Sequence, residues 1–187
     1  ESRSVCVYDS IPPLEVVGTD VVWIKNPELD TILFEGNVFF TGETEVGSYS
    51  YYVTQSTIGC ESNANQISLT INALPEVNFD TLDAVCENDM PLELSAGSPE
   101  GGTYFGPAVE SGFFDPSAVG SGTYTIGYVY SDENACADTA YSEILVNAAP
   151  QVILDPLGAG CVNNEPFTLS GGSPEGRQRS RANCCKS

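Results

Sequence analysis

The sequence predicts an all-β fold of small sandwich modules in tandem, and three observations carry that reading. Apolar and polar residues alternate at period two in short runs. Gly, Pro, Asn and Asp interrupt those runs about every 8–12 residues, the spacing of a β-sandwich, and no window holds a helical stripe. A block also recurs: residues 75–101 and 150–176 are identical at 15 of 27 positions without a gap. The identities include Cys86/Cys161, Pro91/Pro166, Leu94/Leu169 and the run Gly97–Gly101 matched by Gly172–Gly176.

Taken in order, Val21–Ile24 is a short continuous apolar strand and Thr31–Phe34 another. Tyr49–Val53 and Gln66–Ile71 supply a hairpin; Tyr49, Tyr51 and Val53 share one face and Tyr52 points to the other. In Gly122–Tyr130, residues Tyr124, Ile126, Tyr128 and Tyr130 fall on one face, and in Ser142–Val146 Ile144 and Val146 oppose Leu145. The segment from Tyr49 echoes the segment from Tyr124: Gly-Ser/Thr-Tyr opens a strand, a polar turn and a Cys follow, and a second strand ends near Pro. The front of the first unit, Cys6 to Gly47, matches the second poorly. Boundaries are expected at Leu74/Pro75 and Ala149/Pro150, where Pro interrupts strand pairing. Residues 1–74 and 75–149 are thus two sandwiches, and 150–176 the start of a third. Residues 177–187 form an aberrant basic tail, expected to be disordered, with four of the six basic residues. Its abrupt onset reads as a reading-frame or gene-model break; the alternative is a native basic tail for an acidic partner. Cys184 and Cys185 read as incidental thiols.

Composition narrows the function. With 26 acidic and 6 basic residues the formal charge is -20, which disfavours nucleic acid and anionic membrane surfaces as partners. The chain has no His, so the commonest neutral-pH acid/base group is missing. Seven Cys without paired CxxC knuckles suggest disulfides in an oxidising compartment. No signal peptide is visible and no apolar run reaches the ~20 residues of a membrane span, so we expect a piece of a larger exported protein, monomeric as a fragment. Modules of this size have marginal cores. One cystine per module is the expected remedy: Cys6 with Cys60 and Cys86 with Cys136, each closing a loop worth roughly 4 kcal/mol. Cys161 is then left without its partner.

The GSPEGGTYFGP run from Gly97, the FFDPSAVGSGTYTIGYVYSDENAC run and the ILVNAAP exit resemble the Ig-like and PKD-like repeats of very large bacteroidete cell-surface proteins. The stretch from VVWIKNPELD through YYVTQSTIGCES is similar to the related Ig-like repeat of that group. The resemblance covers residues 6–176; it departs at Ala135, where glycine is usual before the cysteine, and in the tail. It implies an Ig-like sandwich, export to the cell surface, and service as adhesin or spacer, with no catalytic residues to carry over.

Several clusters invite chemistry. Asp132, Glu133 and Asp138 crowd the turn around Cys136 and form a weak Ca²⁺ candidate, although Asp and Asn are also ordinary turn residues and the spacing is not that of an EF-hand. No other cofactor is expected. Glu87, Asn88 and Asp89 read as a solvated loop, since only the Asn recurs in the third unit. The glycine-rich GSPEGG run lacks the Lys and helix of a phosphate loop and reads as a tight turn, with Gly101 and Gly102 supplying unusual backbone angles. Trp23 reads as the core aromatic, and Tyr52 is the candidate for a sugar platform. No pair of carboxylates stands out as a hydrolase pair, so no enzyme is expected. The leading expectation is a non-catalytic stalk or multivalent adhesion array meeting an extracellular glycan or protein surface. The alternative is a carbohydrate-binding module accessory to an exported glycan-degrading enzyme, and a third reading is a calcium-stiffened linker.

Overall fold

Alternation in the sequence becomes strands in the computed structural model, which describes residues 2–26, 28, 31–154 and 172–173. Among the described residues the only helical element is a 3-10 turn, Pro116–Ala118, whose capping Asp115 accepts a hydrogen bond from the Ser117 amide at 2.9 Å. Among the described residues no helix is long and apolar enough to cross a membrane. The chain divides into two units: residues up to 77 with 99–102 and 129–139, and residues 78–98 and 103–128 with those described after 139.

In the first unit β1 (Arg3–Cys6), β2 (Leu14–Glu15), β3 (Val21–Ile24), β4 (Ile32–Glu35), β5 (Val38–Phe39), β6 (Gly47–Thr57), β7 (Cys60–Glu61) and β8 (Asn65–Asn72) follow one another. The main sheet runs β1-β8-β6-β3-β4, with β7 appended to β6, and β2 pairs β5 in a second, small sheet. Only β1 runs parallel to its neighbour in the main sheet. Leu14 and Phe39 from the small sheet close against Val21, Trp23, Tyr51, Val53, Ile67, Leu69 and Ile71 from the large one. Burial of each such side chain stabilises by roughly 1.5–3 kcal/mol. Trp23 is fully buried and 5.2 Å from the Phe39 ring, and its Nε1–H donates to the Gly36 carbonyl at 2.8 Å. The expected Trp23 core and the Tyr49–Val53 parity are both found. The strand expected at Thr31–Phe34 lies one residue later, at the sheet edge, with all four side chains exposed.

In the second unit the strands are β9 (Asn78–Phe79), β10 (Val85–Cys86), β11 (Leu92–Glu93), β12 (Gly97–Ser98), β13 (Thr103–Phe105), β14 (Val109–Glu110), β15 (Phe113–Phe114), β16 (Gly122–Ser131) and β17 (Ala137–Asn147), the last two having their shared turn in the first unit. They form the sheets β10-β17-β16-β13, β11-β15-β14 and β12-β9; a further pair joins β18 (Ile153–Leu154) to β19 (Gly172–Ser173). Leu94, Phe114, Ile126, Ile144 and Val146 make the core. Leu145 faces outward, as the alternation requires. Gly97 is required by packing: a Cβ there would lie 2.6 Å from the Tyr128 ring, and its amide donates to Tyr104 Oη at 2.7 Å. Of the two glycines expected to bend the turn, Gly101 has φ +96 and Gly102 stays outside the left-handed region.

The two repeats share a local geometry that their sequences hide. Cys6 ends β1 opposite Asn72 at the end of β8, and Cys86 ends β10 opposite Asn147 at the end of β17, both in parallel pairs. The residue after each cysteine donates its amide to the asparagine carbonyl, Val7 to Asn72 at 2.8 Å and Glu87 to Asn147 at 2.9 Å. Each asparagine side chain returns a bond to the residue before the cysteine, at 3.1 Å to Val5 and 3.4 Å to Val85. Tyr49 and Tyr124 likewise donate their hydroxyls back to carbonyls four residues earlier, those of Glu45 and Gly120. The Cys6–Asn72 and Cys86–Asn147 strand ends thus share one hydrogen-bonding pattern, although few residues around them match.

Candidate functional site

The cysteines define the first candidate. Cys6 is bonded to Cys136, with their Cα atoms 5.5 Å apart and a sequence separation of 130. The expected pairs Cys6–Cys60 and Cys86–Cys136 are therefore corrected. The register supplies the reason. Cys6 lies beside Asn72, whereas Cys60 lies beyond Asn65 at the other end of β8. Seven residues of strand separate these ends by about 23 Å, and a cystine needs Cα atoms within about 7 Å. Cys86 beside Asn147 and Cys136 just ahead of Ala137 are kept apart in the same way by the length of β17, about 33 Å. Both bonded cysteines belong to the first unit, as does the turn 129–139. Cys60 is an exposed free thiol, while Cys86 is buried. Cys161, Cys184 and Cys185, most of the expected third unit (150–176) and the expected basic tail (177–187) lie outside the described residues.

The two hairpin turns carry one backbone conformation at one place. Gly59 precedes Cys60 with φ +80, and Ala135 precedes Cys136 with φ +63. The first turn is a two-residue loop, since Thr57 pairs with Cys60, and Ile58 also has positive φ, +53. Two such residues in succession suit a type I′ hairpin, but an isoleucine there is strained. Ile58 is 99% exposed.

Asp132 organises the second turn. Its Oδ1 accepts from the amides of Asn134 at 2.9 Å and Cys136 at 2.8 Å, and its own amide donates to the Cys136 carbonyl at 2.9 Å. Asp138 accepts from the Thr139 amide at 2.7 Å. Among the described residues no three His, Cys, Asp or Glu side chains are grouped to hold a metal, so Asp132, Glu133 and Asp138 are not brought together. Asp89 and Glu87 are similarly engaged, accepting from the Cys86 amide at 2.8 Å and the Ala149 amide at 3.1 Å.

Tyr52 is half-buried on the face opposite Tyr51. One cleft, of about 260 Å³, lies among Val16, Val21, Val53, Gln55, Asn65 and Ile67. It is smaller than most small-molecule sites. Tyr51, which the sequence assigns to the core, carries the polar contact that the alternation does not reveal. Its hydroxyl donates to Glu43 Oε1 at 3.0 Å. Burial, and then the hydrogen bond and negative charge of Glu43, push its phenol well above the usual value.

No protein-family model and no curated protein matches the chain. Among solved structures, the chain is similar to the fibronectin(III)-like modules of Clostridium thermocellum CbhA at 14% identity, covering 79% of this chain and 90% of that one with a TM-score of 0.35. It is similar to human mucin-like protocadherin EC1-2 at 14% identity, over 78% of this chain and 95% of that one with a TM-score of 0.27. A third likeness is to human CDH23 EC21-23, at 10% identity over 78% and 67% of the respective chains with a TM-score of 0.30.

Proposed function

We propose that the chain is a run of non-catalytic Ig-like modules from a secreted or surface-anchored protein, serving as a stalk or as a multivalent adhesive array. The observation that supports this reading best is the recurrence of one local device, a cysteine ending a short strand beside an asparagine ending a long one in a parallel pair. A device that recurs along the chain suits a part whose contribution is reach and number. The Cys6–Cys136 cystine agrees with an oxidising, extracellular setting, and the resemblance to bacteroidete surface repeats points the same way. The module boundaries we assign are Leu74/Pro75 and Ala149/Pro150. Its partner is an extracellular glycan or protein surface.

A glycan array probed with the full chain and with Tyr52→Ala tests the reading. We expect at most weak, non-saturating binding, the same for both proteins. Saturable binding lost on substitution of Tyr52 would replace the stalk with a carbohydrate-binding module.

A further inference from the structure

The main sheet of the first unit ends in two unlike strands. β1 pairs only with β8, and hydroxyls dress that end: Ser2 Oγ accepts from the Ser68 amide at 3.2 Å and Ser4 Oγ from Asn72 Nδ2 at 2.8 Å. β4, at the other end, pairs only with β3, and its far side meets no strand among the described residues. A row of backbone N–H and C=O groups is left open there, and natural sheets usually blunt such an edge with Lys or Pro. β4 reads Ile-Leu-Phe-Glu and has neither. Ile32 is 60% exposed, Phe34 40%, and Phe40, just beyond β5, 73%; Leu33 and Val38 are exposed as well. Single exposed apolar residues are ordinary, but a continuous run of them marks a contact surface.

Local packing gives this edge a shape. One register shift interrupts its pairing with β3: Ile32 lies opposite Ile24 and Phe34 opposite Trp23, so Leu33 has no residue across from it. The Phe34 ring stacks on Phe39 at 5.8 Å, and Phe39 in turn lies 5.2 Å from Trp23. Gly36 stands close behind, since a Cβ there would lie 3.1 Å from the Phe34 ring. Its amide donates to the Val21 carbonyl and its carbonyl accepts from Trp23 Nε1, which fixes the turn that follows β4. Backbone groups for an extended chain thus run beside an aromatic shelf for one of its side chains. Glu35, the next residue, points to the opposite face of the strand.

Charge selects the occupant. Glu35 is exposed on the strand itself, and residues 1–74 hold ten carboxylic side chains against two bases. Arg3 lies on β1 at the opposite end of the sheet, and the Lys25 ammonium sits 5.8 Å from the centroid of the Tyr51 ring. A second copy brings the same negative charge to the edge and is repelled, whereas a segment rich in Lys or Arg is attracted. We propose that the free edge of β4 captures an extended basic segment of a partner protein as an added strand. In this mode main-chain hydrogen bonds supply affinity and alternate side chains supply specificity. Apolar side chains of the segment meet Phe34, and the basic ones between them meet Glu35. The inference goes beyond the stalk reading, because a single module suffices and neither an array nor load is required.

The probe is the end-capped peptide Lys-Val-Lys-Val-Lys-Val-Lys, titrated into the full oxidised chain at low salt and followed by amide NMR. We expect saturable binding with shifts centred on residues 32–35, weakened by added salt. Replacing Lys by Glu in the peptide, or N-methylating all its amides, should weaken binding by about tenfold or more. Leu33→Lys, at an exposed position with no residue opposite, should weaken it to the same degree; Glu35→Lys serves if that variant does not fold. Equal binding by either altered peptide overturns the proposal, as does an absence of saturable binding or a set of shifts centred elsewhere. Self-association of the chain that Leu33→Lys abolishes also overturns it, because the edge then belongs to a second copy. A sugar ligand found on the glycan array removes the stalk and leaves this result standing, so the two readings fail separately.

Discussion

Gly59 and Ala135 hold the same backbone conformation, φ +80 and +63, each immediately before a hairpin cysteine. Only one of them is a glycine. An L-residue in the left-handed region is disfavoured by roughly 1–2 kcal/mol, partly offset by the smaller chain entropy that alanine loses on folding.

Ala135→Gly is therefore expected to stabilise the protein by about 0.5 kcal/mol and raise the melting temperature by about 2 °C. Calorimetry on the oxidised protein measures it. A lower melting temperature would mean that Ala135 makes contacts which outweigh its strain.

The cystine closes the longest loop available to the described cysteines. With a sequence separation of 130 between its ends, the chain-entropy cost it removes is about 5 kcal/mol, and oxidation should also lock that length against force. Stretching single molecules from both ends should release about 450 Å more chain after reduction than before. Equal contour lengths in both states would contradict the pairing.

Tyr51 predicts the alkaline limit. Its neutral phenol is favoured in the folded state by burial and by the hydrogen bond to Glu43, so the folded pKa lies above the unfolded one. The resulting stability is complete below the ordinary phenol value of about 10 and is lost as pH rises from there toward the raised folded value. In that range the unfolded chain binds fewer protons than the folded one, which gives stability a negative slope with pH. Melting temperatures should fall as pH rises above about 10, and Tyr51→Phe should flatten part of that fall. An unchanged slope in the variant would remove Tyr51 from the account.

Asp132 separates a turn-former from a calcium ligand. Because its Oδ1 accepts two amide hydrogen bonds, Asp132→Ala should cost about 1–2 kcal/mol whether or not calcium is present. Adding calcium to the unaltered protein should leave its melting temperature unchanged. A clear rise on titration would show binding to the folded state and restore the linker reading.

Much of the fold could be read from residue order. The faces of Tyr49–Val53 and Ser142–Val146 follow from period-two alternation, because successive side chains of a strand point to opposite sides. Trp23 lies in an apolar run, and it is buried. The edge position of Ile32–Glu35 could not be read the same way, since an apolar run looks alike whether its strand is covered or not. Nor could the polar contact of Tyr51 with Glu43, whose partners are eight residues apart on different segments.

By itself, then, the sequence determined the all-β class, the strand faces, the repeat and the acidic surface. These depend on short-range patterns that backbone geometry turns directly into structure. Only the tertiary structure decided which sulfurs meet. A cystine depends on distance through space, and β8 and β17 hold the two cysteines of each repeat at opposite ends of a strand. Spacing along the chain suggested a bridge within each repeat; strand length forbids it and leaves Cys6 to reach Cys136.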